Sequence, residues 1–180
     1  MQKYVALLRG INVGGNSKVE MPRLRKVFEA LGFKNVSTYI NSGNVIFDGK
    51  ERGHLELAQE IEKALQDHFG FAVRSVVRNA KNIEKISKNI PLDWTNDTKT
   101  KTDILFLWEE FDTKSSLNLI VAHPEVDKLK YIDGAIIWSL DRKGYTKSGM
   151  RKFIGTPLYK HMTARNVNTV RKLASLMKSK

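Results

Sequence analysis

Apolar positions along the chain fall into blocks whose spacing changes from run to run. Residues Tyr4 to Leu8 in "KYVALLRG" are consecutively apolar, as in a central strand buried on both faces. Leu24, Val27, Phe28 and Leu31 then recur at helical spacing. Glu20-Met21-Pro22 opens that helix, with Pro22 suited to its first turn, and Gly32 closes it. "VSTYI" and "VIF" read as two strands joined by the turn "NSGN". "HLELAQEIEKALQDHF" puts Leu57, Ile61, Leu65 and Phe69 on one face of a helix that Gly70 stops, and "FAVRSVVR" is the next strand.

Further on the same order starts again. "NAKNIEKISKNI" reads as a connecting helix and "PLDWTNDTKTKT" as a polar linker. "DILFLW" is a strand, and "SLNLIVA" a short helix that ends at His123-Pro124. "DKLKYIDGAIIWSL" is a hairpin whose Asp133-Gly134 turn has type I′ chemistry. "GMRKFIG" reads as helical. "MTARNVNTVRKLASLMK" predicts a final helix with Thr163 as N-cap and Val167, Val170, Leu173 or Ala174, and Met177 on one stripe. The expected class is α+β. A ferredoxin-like split βαβ half, an antiparallel sheet with helices on one face, covers 1–79. A connecting helix and polar linker cover 80–102, and a second βαββ half with basic C-terminal helices covers 103–180. The two halves share their order and few of their letters.

In a split βαβ sheet the first two strands run the same way, with the third antiparallel between them. The loop "RGINVGGNSK", the turn "NSGN" and the loop "HFGF" are therefore expected at one end of the sheet. The candidate ligand-binding residues there are Arg9, Gly10, Asn12, Gly14, Gly15, Asn16, Lys18, Asn41, Ser42, Gly43 and Asn44. Glycine lets backbone amides approach a ligand, Arg and Lys supply charge, and Asn supplies donors and acceptors. An oxyanion suits that chemistry. No standard phosphate motif is matched. Gly10 and Gly15 have Walker spacing, but Asn16-Ser17 follows and Lys18 comes too late; G-x-G-x-x-G is absent. The plain alternative is that Gly and Asn serve left-handed backbone in a loop and a turn.

Composition narrows the classes. Of the 180 residues 41% are hydrophobic and 28% charged, the balance of a soluble globular protein. No window reaches the length of a membrane span, and the N-terminal apolar run is too short for a signal peptide, so a cytoplasmic setting is expected. There is no cysteine, which excludes disulfides, thiol nucleophiles and cysteine metal sites. The formal net charge is +12, and residues 141–180 hold eleven Lys or Arg against the single acid Asp141, a charge of +10. Lys147, Arg151, Lys152, Arg165, Asn166, Asn168, Arg171 and Lys172 form a candidate basic patch there for nucleic acid or another polyanion. The plain alternative is a solvated helix face. None of His54, His68, His123 and His161 pairs with another at metal-ligand spacing, and no metal or cofactor is expected. Asp103, Glu109, Glu110 and Asp112 are the one acidic concentration and read as a charged loop. Ser42 lacks the flanks of a nucleophile elbow. Tyr4, Tyr39 and Phe47 lie on strands without the aromatic run of an RNA-recognition motif.

Residues of the same loop carry a family resemblance. "LLRGINVGGNSKV" with "LRKVFEALGF" and "VSTYINSGNVIF" is similar to the bacterial family known as domain of unknown function 1697, and "TARNVNTVRKL" resembles its C-terminal signature. The resemblance covers about residues 3 to 178. It implies an α/β fold of ferredoxin-like parts and no established activity. Arg9, Gly10, Asn12, Gly14, Gly15, Tyr39, Ser42, Gly43, Asn44, Arg165, Asn166 and Asn168 match its pattern. Two positions depart from it: Val167 stands where tryptophan is usual, and Ser148-Gly149-Met150 where Ser-Lys-Leu is usual. Three readings stay open. The first is a protein binding a phosphate-containing small molecule or nucleic acid. The second is an enzyme acting on a phosphorylated or carboxylated small molecule at the same loop end. The third is an interaction module without a pocket. Binding is favoured because no general base, nucleophile or metal cluster is legible.

Overall fold

The computed structural model describes residues 1–15 and 17–178; Asn16, named above, lies outside the described residues. The chain divides into two compact units, one built on Met1–Lys81 and the other on Asn82–Leu176.

The first unit runs β1 (Gln2–Leu8), α1 (Met21–Ala30), β2 (Lys34–Tyr39), β3 (Asn44–Gly49), α2 (His54–Phe69), β4 (Ser75–Asn79). Its strands are ordered β2-β3-β1-β4 with every neighbouring pair antiparallel, the split βαβ arrangement. Alternate residues of each strand face opposite sides. Tyr4, Ala6 and Leu8 of β1, with Val45 and Phe47 of β3, share one core with Leu24, Val27 and Phe28 of α1 and Leu57, Ile61 and Leu65 of α2. The opposite set, Val5, Leu7, Ile46 and Val76, is buried as well, which is why β1 is an unbroken apolar run. Phe33 packs on Phe47 with ring centroids 4.4 Å apart, and Tyr4 stacks on Phe47 at 5.6 Å. Deleting the Phe47 ring would cost about 3–5 kcal/mol. Tyr4 and Phe47 are thus core and offer no stacking platform, while Tyr39 at the end of β2 is half-buried. Each helix stops where its glycine permits left-handed backbone: Gly32 at φ +83°, Gly70 at φ +78° with its N–H on the carbonyl of Gln66 at 2.9 Å.

Helix α3 (Ala80–Lys88) follows β4 directly. The second unit then has β5 (Thr100–Leu107), β6 (Lys128–Ile132), β7 (Ala135–Asp141), the single turn α4 (Pro157–Lys160), β8 (Met162–Asn166) and α5 (Val167–Met177). Its order, β6-β7-β5-β8, reproduces that of the first sheet element for element. The repeat expected from element order is therefore more complete than βαββ. The final helix begins at Val167, not at Met162. Thr163 is no N-cap: it lies in β8 opposite Phe106, where pairing with the long strand β5 outweighs local helix propensity. Asn166 does the capping, its Oδ1 accepting the N–H of Thr169 at 2.9 Å. Two other expected helices are 3-10 turns, over Lys114–Leu119 and Gly149–Gly155. The Asp133-Gly134 turn is not type I′, because of the two only Gly134 has positive φ (+96°).

The polar stretch before β5 is tied down. Arg142 donates from Nε to the carbonyl of Asp97 at 2.6 Å, and Asn168 Nδ2 donates to that of Asn96 at 3.0 Å. The Asp97 carboxylate accepts the Thr95 hydroxyl and the N–H groups of Thr100 and Lys99, which hold its pKa down to about 2.

Candidate functional site

At the end of the first sheet three loops meet. The Leu8 N–H donates to the carbonyl of Gly43 and the Arg9 N–H to that of Arg74, both at 2.8 Å. The chain leaving β1, the β2–β3 turn and the approach to β4 are therefore neighbours, as the order of strands requires. Asn12 fastens the first two. Its Oδ1 accepts the Val19 N–H at 2.8 Å, and its Nδ2 donates to the carbonyls of Val19 at 2.9 Å and Asn41 at 3.0 Å. Its own backbone is left-handed, at φ +55°. Gly43 is buried in the seam: a Cβ there would lie 2.8 Å from both Leu8 Cβ and Ile11 Cδ1.

The candidate residues thus separate by role. Asn12, Gly43 and Asn44 hold the loops in place. Asn44 is fully buried and donates from Nδ2 to the Tyr39 carbonyl at 2.9 Å and the Ser42 hydroxyl at 3.0 Å. Gly10, Gly14, Gly15, Lys18 and Asn41 are exposed, and Arg9 and Ser42 are half-buried. Gly14, Gly15 and Ser17 have φ of +61°, +79° and +52°, all in the left-handed region. Lys18 has no ion-pair partner among the described residues. Helix α1 starts beside this loop with no side-chain cap from Glu20. Arg74, exposed and 3.3 Å from the Glu62 carboxylate, adds a cation that the sequence reading passed over. Also passed over were Val13 and Ile40, both exposed, the latter with φ +50°.

The residues of the basic patch are less uniform. Lys147, Arg151, Lys152 and Lys172 are exposed. Arg165 is 8% exposed within β8; burial pulls its guanidinium down to about 10, and Nη1 donates to the Ala164 carbonyl at 2.8 Å. Asn166 caps α5 and Asn168 holds Asn96, as above. Arg171 Nη2 donates to the Pro91 carbonyl at 3.1 Å, in a groove of about 650 Å³ beside Lys130, whose Nζ donates to the Asn89 carbonyl at 2.9 Å. These cations complement the carbonyl end of α3.

The second unit repeats the loop end with different chemistry. Leu107 N–H meets the Gly134 carbonyl and Trp108 N–H the His161 carbonyl, both at 3.1 Å, matching the Leu8–Gly43 and Arg9–Arg74 rungs. Asp112 Oδ1 takes the Gly134 N–H at 2.7 Å and the Tyr131 hydroxyl at 3.0 Å, the fastening role that Asn12 has in the first unit. The His161 ring stacks on Phe111 at 4.4 Å and faces Glu110 at 3.3 Å. Among the described residues no group of three or more His, Asp or Glu gathers for a metal, and no helix is long and apolar enough to cross a membrane. Ser148-Gly149 has a structural explanation. Ser148 Oγ and Gly149 N–H both donate to Asp127, and a Cβ on Gly149 would lie 1.9 Å from the Val121 carbonyl oxygen. A lysine at 149 does not fit this backbone.

Two consecutive ferredoxin-like sheets, with a glycine-rich loop fastened by Asn12 at the end of the first, define an α+β protein of the two-half type. The chain belongs to the family described as "Protein of unknown function (DUF1697)", whose model matches residues 1–138. It is similar over 98% of its length, at 29% identity, to 99% of a solved chain described as the conserved bacterial protein SP0830 from Streptococcus pneumoniae, with a TM-score of 0.85. No curated protein matches it.

Proposed function

We propose that the protein binds a phosphate-bearing anion at the loop end of its first sheet. The observation that carries this reading is the loop itself. Asn12 anchors it at both ends, yet Gly14, Gly15 and Lys18 stand exposed, with Gly14, Gly15 and Ser17 all in left-handed backbone. Left-handed residues set beside right-handed ones aim successive amide N–H groups at one point, the arrangement that cradles oxyanions. Arg9 and Arg74 flank the same end, and the uncapped start of α1 adds the positive end of a helix dipole. The loop is held before any ligand arrives, so less ordering entropy opposes binding.

Thermal unfolding in increasing tripolyphosphate tests the reading. A ligand that binds only the folded chain adds about 2.7 kcal/mol when present at one hundred times its Kd. The Tm should climb with ligand, and Lys18→Ala and Arg9→Ala should each weaken the climb while Lys172→Ala leaves it intact. A flat Tm through the millimolar range, or equal climbs in all three variants, would reject the site.

A further inference from the structure

Resting on that reading, we infer that the ligand is a nucleoside phosphate, whose heteroaromatic ring lies on Val13 and Ile40 while its phosphates lie on the glycine loop. The first observation is position. The Asn12 amide bonds both Val19 and Asn41, so Val13, Lys18 and Ile40 each stand one residue from the atoms it joins. The second is exposure: Val13 is 66% and Ile40 48% accessible, beside a cationic loop. Two stiff β-branched side chains give a small, rigid apolar face, which suits a flat ring better than a flexible chain. Asn41, exposed on the same turn, carries a donor and an acceptor for the edge of such a ring.

The third observation is strain. Ile40 holds φ +50°, a conformation that glycine or asparagine adopts readily and a β-branched residue does not. It is too exposed for core packing to explain the choice. Strained residues that persist at exposed turns mark sites where the side chain serves something besides the fold. Replacing Ile40 by glycine should therefore separate stability from recognition: the turn relaxes and the apolar face is lost.

Calorimetric titration of the full chain at fixed salt, without magnesium, compares the four nucleoside triphosphates with tripolyphosphate. At least one nucleotide should bind tenfold or more tightly than tripolyphosphate. Ile40→Gly should bring that nucleotide to within twofold of tripolyphosphate, leave tripolyphosphate itself unchanged and raise the Tm; Val13→Ser should lose part of the same margin. Equal affinity for nucleotides and tripolyphosphate in the unaltered chain overturns the inference and leaves the anion site standing. So does an Ile40→Gly chain that keeps the full margin. Binding of neither ligand removes both readings together. Oligonucleotides whose affinity grows with length would reassign the surface to nucleic acid and overturn the small ligand.

Discussion

The carboxylate of Asp127 receives the indole N–H of Trp138 at 2.9 Å, tying a half-buried charge to a fully buried ring. The same carboxylate accepts the Ser148 hydroxyl at 2.5 Å and the N–H groups of His123 at 2.7 Å and Gly149 at 2.8 Å. Burial alone would raise its pKa; the bonds from Ser148, His123, Gly149 and Trp138 outweigh burial and hold it below the ordinary value of 3.8. A depressed carboxylate stabilises the fold above its unfolded pKa, and that contribution is lost as pH falls through the folded value. Part of the stability of the second unit should therefore vanish below about pH 4. Asp127→Asn should cost about 3 kcal/mol at neutral pH, because an amide turns a donor toward groups that are themselves donors. It should also flatten the acid limb of a plot of Tm against pH. An unchanged acid limb would show that Asp127 does not control it.

Gly149→Ala places a methyl group against the backbone of Val121 and should destabilise by about 3 kcal/mol. Gly155→Ala, where a Cβ meets nothing within 4 Å, is the control and should change stability by less than about 0.5 kcal/mol. Denaturant midpoints of the two variants measure the difference.

The loop anchor has its own signature. Asn12→Asp keeps the acceptor for Val19 and removes both donated bonds, to Val19 and Asn41. A loss of about 2 kcal/mol is expected from two such bonds. Hydrogen exchange at Val19, whose acceptor the carboxylate keeps, should stay slow in Asn12→Asp and quicken in Asn12→Leu, which removes that acceptor too, while the β1 amides keep their protection in both.

Capping distinguishes the two candidate starts of the last helix. Asn166→Ala should cost about 1 kcal/mol, the usual worth of an N-cap. Asn166→Ser should recover most of it. Thr163→Val suits a strand and could not cap, and its cost, about 1.5–3 kcal/mol, should come from the lost hydroxyl that accepts Arg165 Nη1 at 3.0 Å. Urea unfolding of the three variants orders them.

The elements whose causes are local were legible in the sequence. The apolar run of β1, Pro22 at the start of α1 and the stops at Gly32 and Gly70 all act within a few residues. β8 was not legible, because the partner that makes Met162–Asn166 a strand lies in Asp103–Leu107, some sixty residues earlier. At the loop end, strand order alone brought Arg9, Asn12 and Asn41 together. Order could not separate Asn12 and Gly43, which hold the loops, from Gly14 and Lys18, which face solvent. Ile40 escaped notice because its peculiarity is a backbone angle. Asp127 escaped because its four donors come from three separate stretches of the chain, at His123, Trp138 and Ser148-Gly149. Arg78-Asn79 and Arg165-Asn166 hid in plain view: the two pairs end β4 and β8 and precede α3 and α5, a correspondence visible only once the strands are aligned.

The closing strand of the second sheet has one further consequence. β8 covers one flank of β5 along its whole outer half, and the family match ends at residue 138, within β7. A fragment cut there would leave Ile104 to Leu107, apolar on both faces, as a bare rim of unpaired peptide groups. Such a rim recruits strands from other molecules. β8 is thus the cover of that rim, and a chain cut before it should precipitate rather than fold.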